Sequence, residues 1–294
     1  MPATIRPRRS ALYMPGSKTR ALEKARSLPA DALILDLEDA VSPAEKHAAR
    51  GYVCDAVKEG GYAPREVIIR INGLDTEWGA DDLTAASASG ADAILVPKVE
   101  SAGMVHDVLT RMAEAGAPDA MALWAMMETP LGMLNAAEIA GASDRLAVLV
   151  MGTNDLVKDL GAAHTDTRMP VVTALGLCML AARAHGLAIL DGVYNAFKDE
   201  DGLRTSCLQG VEFGFDGKTL IHPAQLDITN AAFAPSAQAI ELAERQVAAF
   251  AEAEAEGKGI AVVDGQIVEN LHVATAKALL AKAEMIEAMA AATR

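Results

Sequence analysis

The amino-acid sequence predicts a (β/α)8 barrel followed by a C-terminal helical and hairpin extension. Three observations carry that prediction. Eight short apolar runs alternate with helix-like segments at intervals of roughly 20–35 residues, the rhythm of a βα-repeat chain. The runs are almost continuously apolar rather than alternating, as strands of a parallel sheet buried on both faces must be. Most of them end in an ionisable residue, and a barrel of this kind gathers its functional groups at the C-terminal ends of its strands. A doubly wound open sheet is the competing topology. It would usually carry a glycine-rich phosphate loop after the first strand, and neither GxGxxG nor GxxxxGKS/T occurs.

The first strand is predicted at residues 10–15, closed by Gly16, with Ser17 placed to cap a helix starting near Lys18. The second covers 32–39. Ser42, Pro43 and Glu45 then supply an N-cap, a first-turn proline and a capping-box acid in register. The third and fourth strands cover 65–72 and 93–99, and Ser101 opens a helix running to about Gly116. The fifth and sixth cover 122–128 and 146–152. A helix from about Pro170 to Gly186 leads to the seventh at 187–191, and the eighth covers 215–222. The barrel is assigned to residues 1–230. Residues 231–294 form the extension: a helix over 235–256, a hairpin over 260–268 turning at Asp264-Gly265, and a last helix over 271–292. This tail is surplus to the eight units, so it is a candidate lid or oligomer contact.

Composition narrows the function classes. With 26 basic against 40 acidic residues the formal charge is −14, which argues against nucleic acid as a partner, since phosphate backbones need a basic surface. Cys54, Cys178 and Cys207 are scattered, with no CxxC, so neither a disulfide framework nor a zinc site is expected. No run approaches transmembrane length, and a cytoplasmic protein without membrane contact is the expectation.

The strand ends carry the chemistry. Strand two ends in Asp36, Glu38 and Asp39, three in Arg70 and Asn72, four in Lys98, five in Glu128, six in Asp155, seven in Asp191 and eight in His222. Isolated buried charges are costly, so such a series implies partners, a metal or a ligand in a shared pocket. Glu128 and Asp155 follow consecutive strands, and two carboxylates so placed suit a hard divalent cation, Mg²⁺ or Mn²⁺. Their bland alternative is helix capping or pairing with lysines. Arg70 either holds a substrate carboxylate in its guanidinium fork or pairs with Glu38 or Asp39. Asp36, Glu38 and Asp39 are read mainly as structural. Gly152, Thr153 and Asn154 form either an anion-binding nest of backbone N–H groups or an ordinary strand-to-helix turn. Lys98 is read as an ion-pair partner of a pocket acid, with a Schiff base as the alternative.

A set of motifs running through almost the whole chain resembles the citrate lyase β-subunit-like family, a branch of the HpcH/HpaI aldolase superfamily that includes malyl-CoA and citramalyl-CoA lyases. The matching stretches are RSALYMPG from Arg9, DLEDAV from Asp36, RIN from Arg70, VPK from Val96, METP from Met127 and GTND from Gly152. The resemblance implies an Mg²⁺-dependent barrel that makes or breaks a carbon–carbon bond between a short acyl-CoA and a 2-oxo acid. It implies that Glu128 and Asp155 bind the metal, that Arg70 binds and stabilises the substrate beside Gly152, Thr153 and Asn154, and that Tyr13, Lys18 and Arg20 meet CoA. It further implies a homotrimer whose C-terminal segment closes over a neighbour's site and supplies a carboxylate base. The family has Asp in that lid motif; this chain has Glu269, one methylene longer. The departure leaves the reaction open. A malyl-CoA or citramalyl-CoA type lyase is the leading reading. A (3S)-malyl-CoA thioesterase and a citrate lyase β-subunit are the alternatives, and a non-catalytic binding barrel is the rival from another class.

Overall fold

A computed structural model describes residues 6–292; residues 1–5 and 293–294, which the predicted domains include, lie outside the described residues. The eight runs form β1 (Ser10–Pro15), β2 (Ala32–Asp36), β3 (Glu66–Arg70), β4 (Ala93–Val96), β5 (Ala122–Met127), β6 (Leu146–Met151), β7 (Ala188–Asp191) and β8 (Gly217–Leu220). All pair in parallel in chain order, and β8 returns to β1 through Ser10↔Lys218, so the barrel is closed. Most strands are shorter than predicted. Glu38, Asn72, Lys98, Glu128 and His222 stand past the last paired residue, because charged and polar side chains there leave the ladder for the mouth.

The pleat decides which residues meet inside. Ala11, Ile34, Ile68, Leu95, Trp124, Met126, Val148, Val150 and Leu190 form the inner core, while Leu12, Leu33, Leu35, Ile69, Ile94 and Leu149 pack outward under the helices. Trp124 is fully buried at the foot of the barrel, with the Arg8 guanidinium 5.4 Å from its ring centre. Two residues further along each strand, the same parity puts Tyr13, Asp36, Arg70 and Glu128 at the mouth. The active-site candidates are therefore the continuation of the core rows.

Local capping follows the sequence in one case and departs from it in two. Ser101 caps the helix Ala102–Glu114 by accepting from the Met104 N–H. Ser17 does not cap: the helix begins at Thr19, Lys18 takes the N-cap position, and the buried Ser17 hydroxyl has no partner among the described residues. Ser42 also makes no capping bond; its hydroxyl instead donates to Glu45 at 2.8 Å, so the expected capping box is a side-chain pair. The three cysteines are free and buried.

The described residues divide into two compact units, Arg8–Phe233 and a second unit of residues 234–292 with Arg6 and Pro7. In the second unit the helices Ala237–Ala255 and Asn270–Ala292 pack together, joined by the hairpin of β9 (Ala261–Val263) and β10 (Gln266–Val268). Asp264 and Gly265 have φ of 50° and 76°, the paired positive angles that a tight two-residue hairpin needs and that Asp-Gly supplies. Phe250, Val263, Val268 and Val273 make its small core. No described helix is long and apolar enough to cross a membrane.

Candidate active site

A cavity of about 290 Å³ opens at the barrel mouth, and Tyr13, Arg70, Glu128 and Gly152 to Asp155 all line it. Register explains the central pair: β5 and β6 align Met127 with Met151, so the residues just beyond, Glu128 and Gly152, face each other. The contact demands glycine. A Cβ at position 152 would lie 2.4 Å from Glu128 Cβ and 2.5 Å from its Oε2. Asp155 sits in the first turn of the short helix Thr153–Asp159.

Lys98 holds both acids. It adopts φ of 51°, uncommon outside glycine, and its backbone N–H donates to Glu128 Oε1 at 2.9 Å. Its ammonium lies 3.8 Å from Asp155 Oδ2. The ion-pair reading of Lys98 fits this geometry. Glu128 is 3% exposed, and its carboxyl is pushed up to about 7. Burial is the main cause and the Asp155 charge adds to it, against the Lys98 N–H and the Arg70 and Lys98 charges. A buried carboxylate beside a second acid is thus short of positive charge, the condition a divalent cation relieves. Among the described residues no group of three or more His, Cys, Asp or Glu could hold a metal. Two carboxylates fit Mg²⁺, which is commonly bound through one or two carboxylates and otherwise keeps waters and substrate oxygens.

Of the two readings of Arg70, pairing with Glu38 or Asp39 fits the geometry, and the fork itself is not free. Asp36 takes it: Nε meets Oδ1 and Nη2 meets Oδ2, both at 2.6 Å. Nη1 lies 2.7 Å from Glu38 Oε2. Asp36 also accepts the N–H groups of Glu38 and Ala40, so its structural role fits four bonds at once. What Arg70 presents to the cavity is a fixed cation stacked 4.7 Å over the Tyr13 ring. Tyr13 stands in this wall with its hydroxyl 3.8 Å from the Met126 sulfur, and burial raises its phenol well above the usual range.

The other expected site residues stand differently. The Gly152 N–H bonds the Met127 carbonyl at 2.9 Å, so that amide is spent in the sheet and gives nothing to an anion nest. Lys18 and Arg20 are exposed and do not line this cavity; Lys18 pairs with Glu45 at 3.3 Å. Glu269 lies in the second unit at the start of the last helix, its side chain exposed and its N–H donating to His272 Nδ1 at 3.0 Å.

Two features were not read from the sequence. Lys46 is buried and donates to the carbonyls of Leu37 and Glu38 and to Asn72 Oδ1, at 2.6–3.0 Å, fixing the turn that sets Glu38 against Arg70. Asn195, after β7, exchanges two amide hydrogen bonds with Asn154, at 3.2 and 2.9 Å. Lys46 left one trace, a lysine following an acidic strand end; Asn195 left none.

The model of the HpcH/HpaI aldolase/citrate lyase family matches residues 9–223. A (3S)-malyl-CoA thioesterase of Cereibacter sphaeroides is 60% identical over 285 residues, 97% of this chain and 98% of that protein. The citrate lyase subunit beta of Escherichia coli K12 is 35% identical over 285 residues, 95% of this chain and 94% of its own. Among solved structures, protein CitE of Mycobacterium tuberculosis, in complex with magnesium, acetoacetate and coenzyme A, superposes with a TM-score of 0.74 at 30% identity. That match covers 94% of this chain and 97% of CitE.

Proposed function

We propose, from the premise that this chain belongs to the HpcH/HpaI aldolase/citrate lyase family, that it is a magnesium-dependent hydrolase of a short 2-hydroxy dicarboxyl-CoA thioester, (3S)-malyl-CoA. The family contains lyases and a thioesterase, and the chain is an enzyme of that family. Sequence motifs alone placed carbon–carbon cleavage first. The observation that reverses the order is the 60% identity to a (3S)-malyl-CoA thioesterase across 97% of the chain. Carbon–carbon cleavage stays as the second reading, on the 35% identity to citrate lyase subunit beta.

In this reading Glu128 and Asp155 hold Mg²⁺. When bound, the ion supplies Lewis-acid polarisation and a template for the hydroxyl and carboxylate oxygens of the substrate. The chain's own groups do the rest. Lys98 keeps Glu128 oriented through its backbone N–H. Arg70, immobilised by Asp36, faces the cavity as a fixed cation that favours the anionic hydroxy acid. The Tyr13 hydroxyl is a donor at the same wall. Glu269 is assigned to proton transfer from its place in the lid motif. It takes a proton from water as the water oxygen bonds to the thioester carbon, and returns it to the sulfur as the C–S bond breaks. The homotrimer, the lid role of residues 231–294 and the CoA contacts of Lys18 and Arg20 are carried over from the family on the same footing.

The test replaces Glu128 or Asp155 by Ala. Each variant should lose at least about 10³-fold in release of CoA from malyl-CoA, together with its response to Mg²⁺. A near-normal rate in either variant removes the reading.

A further inference from the structure

The hydrogen-bond donors around the cavity of Glu128 and Asp155 are largely committed to the protein itself. Arg70 gives Nε and Nη2 to Asp36, and its Nη1 lies 2.7 Å from Glu38 Oε2. Thr219 donates its hydroxyl to the Asp191 carbonyl at 3.1 Å, and the side-chain amides of Asn154 and Asn195 bond each other. The Gly152 N–H is held by the Met127 carbonyl. The carboxylates of the same wall, Asp36, Asp39, Glu128 and Asp155, accept hydrogen bonds and donate none when ionised. An anionic ligand in this cavity therefore meets the charge of Arg70 but little of its hydrogen-bonding capacity.

The hydroxyl of Tyr13 is bound more weakly than these. The residue is half-buried, packs against the inner core and lines the cavity. Its hydroxyl donates to the Met126 sulfur at 3.8 Å, and Arg70 Nη1 lies 3.9 Å from the same sulfur. A thioether is a weak acceptor. Two donors thus converge on one soft atom in a wall that Tyr13, Arg70 and Met126 share. A carboxylate oxygen is a far stronger acceptor, because a hydrogen bond to an ionised group is about twice as strong as a neutral one. Exchanging the sulfur for such an oxygen costs the hydroxyl little. The Arg70 guanidinium, 4.7 Å from the ring centre, draws on the ring electrons and makes the O–H a better donor. Burial keeps the phenol protonated, against the Arg70 charge.

We propose, on the reading that a metal-bound 2-hydroxy acid occupies this cavity, that Tyr13 binds it directly: its hydroxyl leaves the Met126 sulfur and donates to a carboxylate oxygen of the acid. Arg70, whose own fork is taken by Asp36, acts on that oxygen through its charge and through the Tyr13 ring.

Calorimetry with malate and the full chain loaded with Mg²⁺ tests this, in the natural sequence and in Y13F. The substitution keeps the ring and its stacking and removes one O–H. Malate affinity should fall about tenfold or more, the effect of losing a hydrogen bond to a charged group, with Mg²⁺ affinity unchanged. Malate should also perturb the ultraviolet absorption of tyrosine in the natural protein, and that difference signal should vanish in Y13F. Equal malate affinity in the two proteins, a difference signal that persists in Y13F, a parallel fall in Mg²⁺ affinity, or no binding of malate by the natural protein would overturn the proposal. Malyl-CoA turnover is read separately. Malate binding that needs the Tyr13 hydroxyl, without turnover of the ester, sinks the hydrolase reading and leaves Tyr13 in place; turnover by the natural protein, with malate affinity untouched in Y13F, sinks this proposal alone.

Discussion

Glu128 fills the space that a side chain at Gly152 would occupy, its Oε2 standing 2.5 Å from where that Cβ would be. The glycine of the GTND motif is thus a steric condition on the carboxylate across the strand. Gly152→Ala should push Glu128 off its position and weaken Mg²⁺ binding by about 10- to 100-fold, the usual effect of disturbing a ligand's support. Metal titration of the variant, with circular dichroism to establish that the barrel persists, checks this. Unchanged Mg²⁺ affinity would separate Gly152 from the site.

Asp36 is fully buried and neutralises a guanidinium that is itself 5% exposed. Asp36→Ala leaves that cation short of its main partner and two backbone N–H groups without an acceptor. The expected cost is about 3–5 kcal/mol, the range for breaking one side of a buried ion pair. Urea unfolding measures it, and a loss under about 1 kcal/mol would mean that Glu38 and Asp39 suffice for Arg70.

Glu38 gives a pH dependence with a defined sign. Its carboxyl is pushed up to about 8 from an ordinary 4.5, by burial first, with Asp39 and Glu128 adding and Arg70 opposing. The folded state therefore holds this proton more tightly than the unfolded chain. The stability it contributes is complete below about pH 4.5 and is lost as pH rises through about 8. Glu38→Gln cannot ionise. Its Tm relative to the natural protein should rise across that window, and parallel pH profiles for the two would contradict the assignment.

Glu269→Gln keeps length and polarity and removes only the carboxylate. It should lower the rate of malyl-CoA turnover by about 10²-fold or more with Mg²⁺ affinity unchanged, the signature of a lost general base. An unchanged rate reassigns proton transfer to another group.

The barrel was legible because a parallel strand buried on both faces must be an apolar run, and each run stops where a charge reaches the mouth. Glu128 and Asp155 were legible for the same reason. The pairing of Arg70 was legible in part: Glu38 and Asp39 were its expected partners and both lie near Nη1, but only the register Asp36↔Arg70 between β2 and β3 selects Asp36 for the fork. Ser17 failed as a cap because the helix starts one residue later than its motif suggests. Asn195 stayed hidden because its role depends on two loops meeting across the mouth, a tertiary fact with no local pattern.

The most direct measurement is the product analysis of malyl-CoA incubated with the purified protein and Mg²⁺, followed by mass spectrometry. The account predicts malate and free CoA, formed only when Mg²⁺ is present. Glyoxylate and acetyl-CoA without malate, or no turnover of the ester, would contradict it.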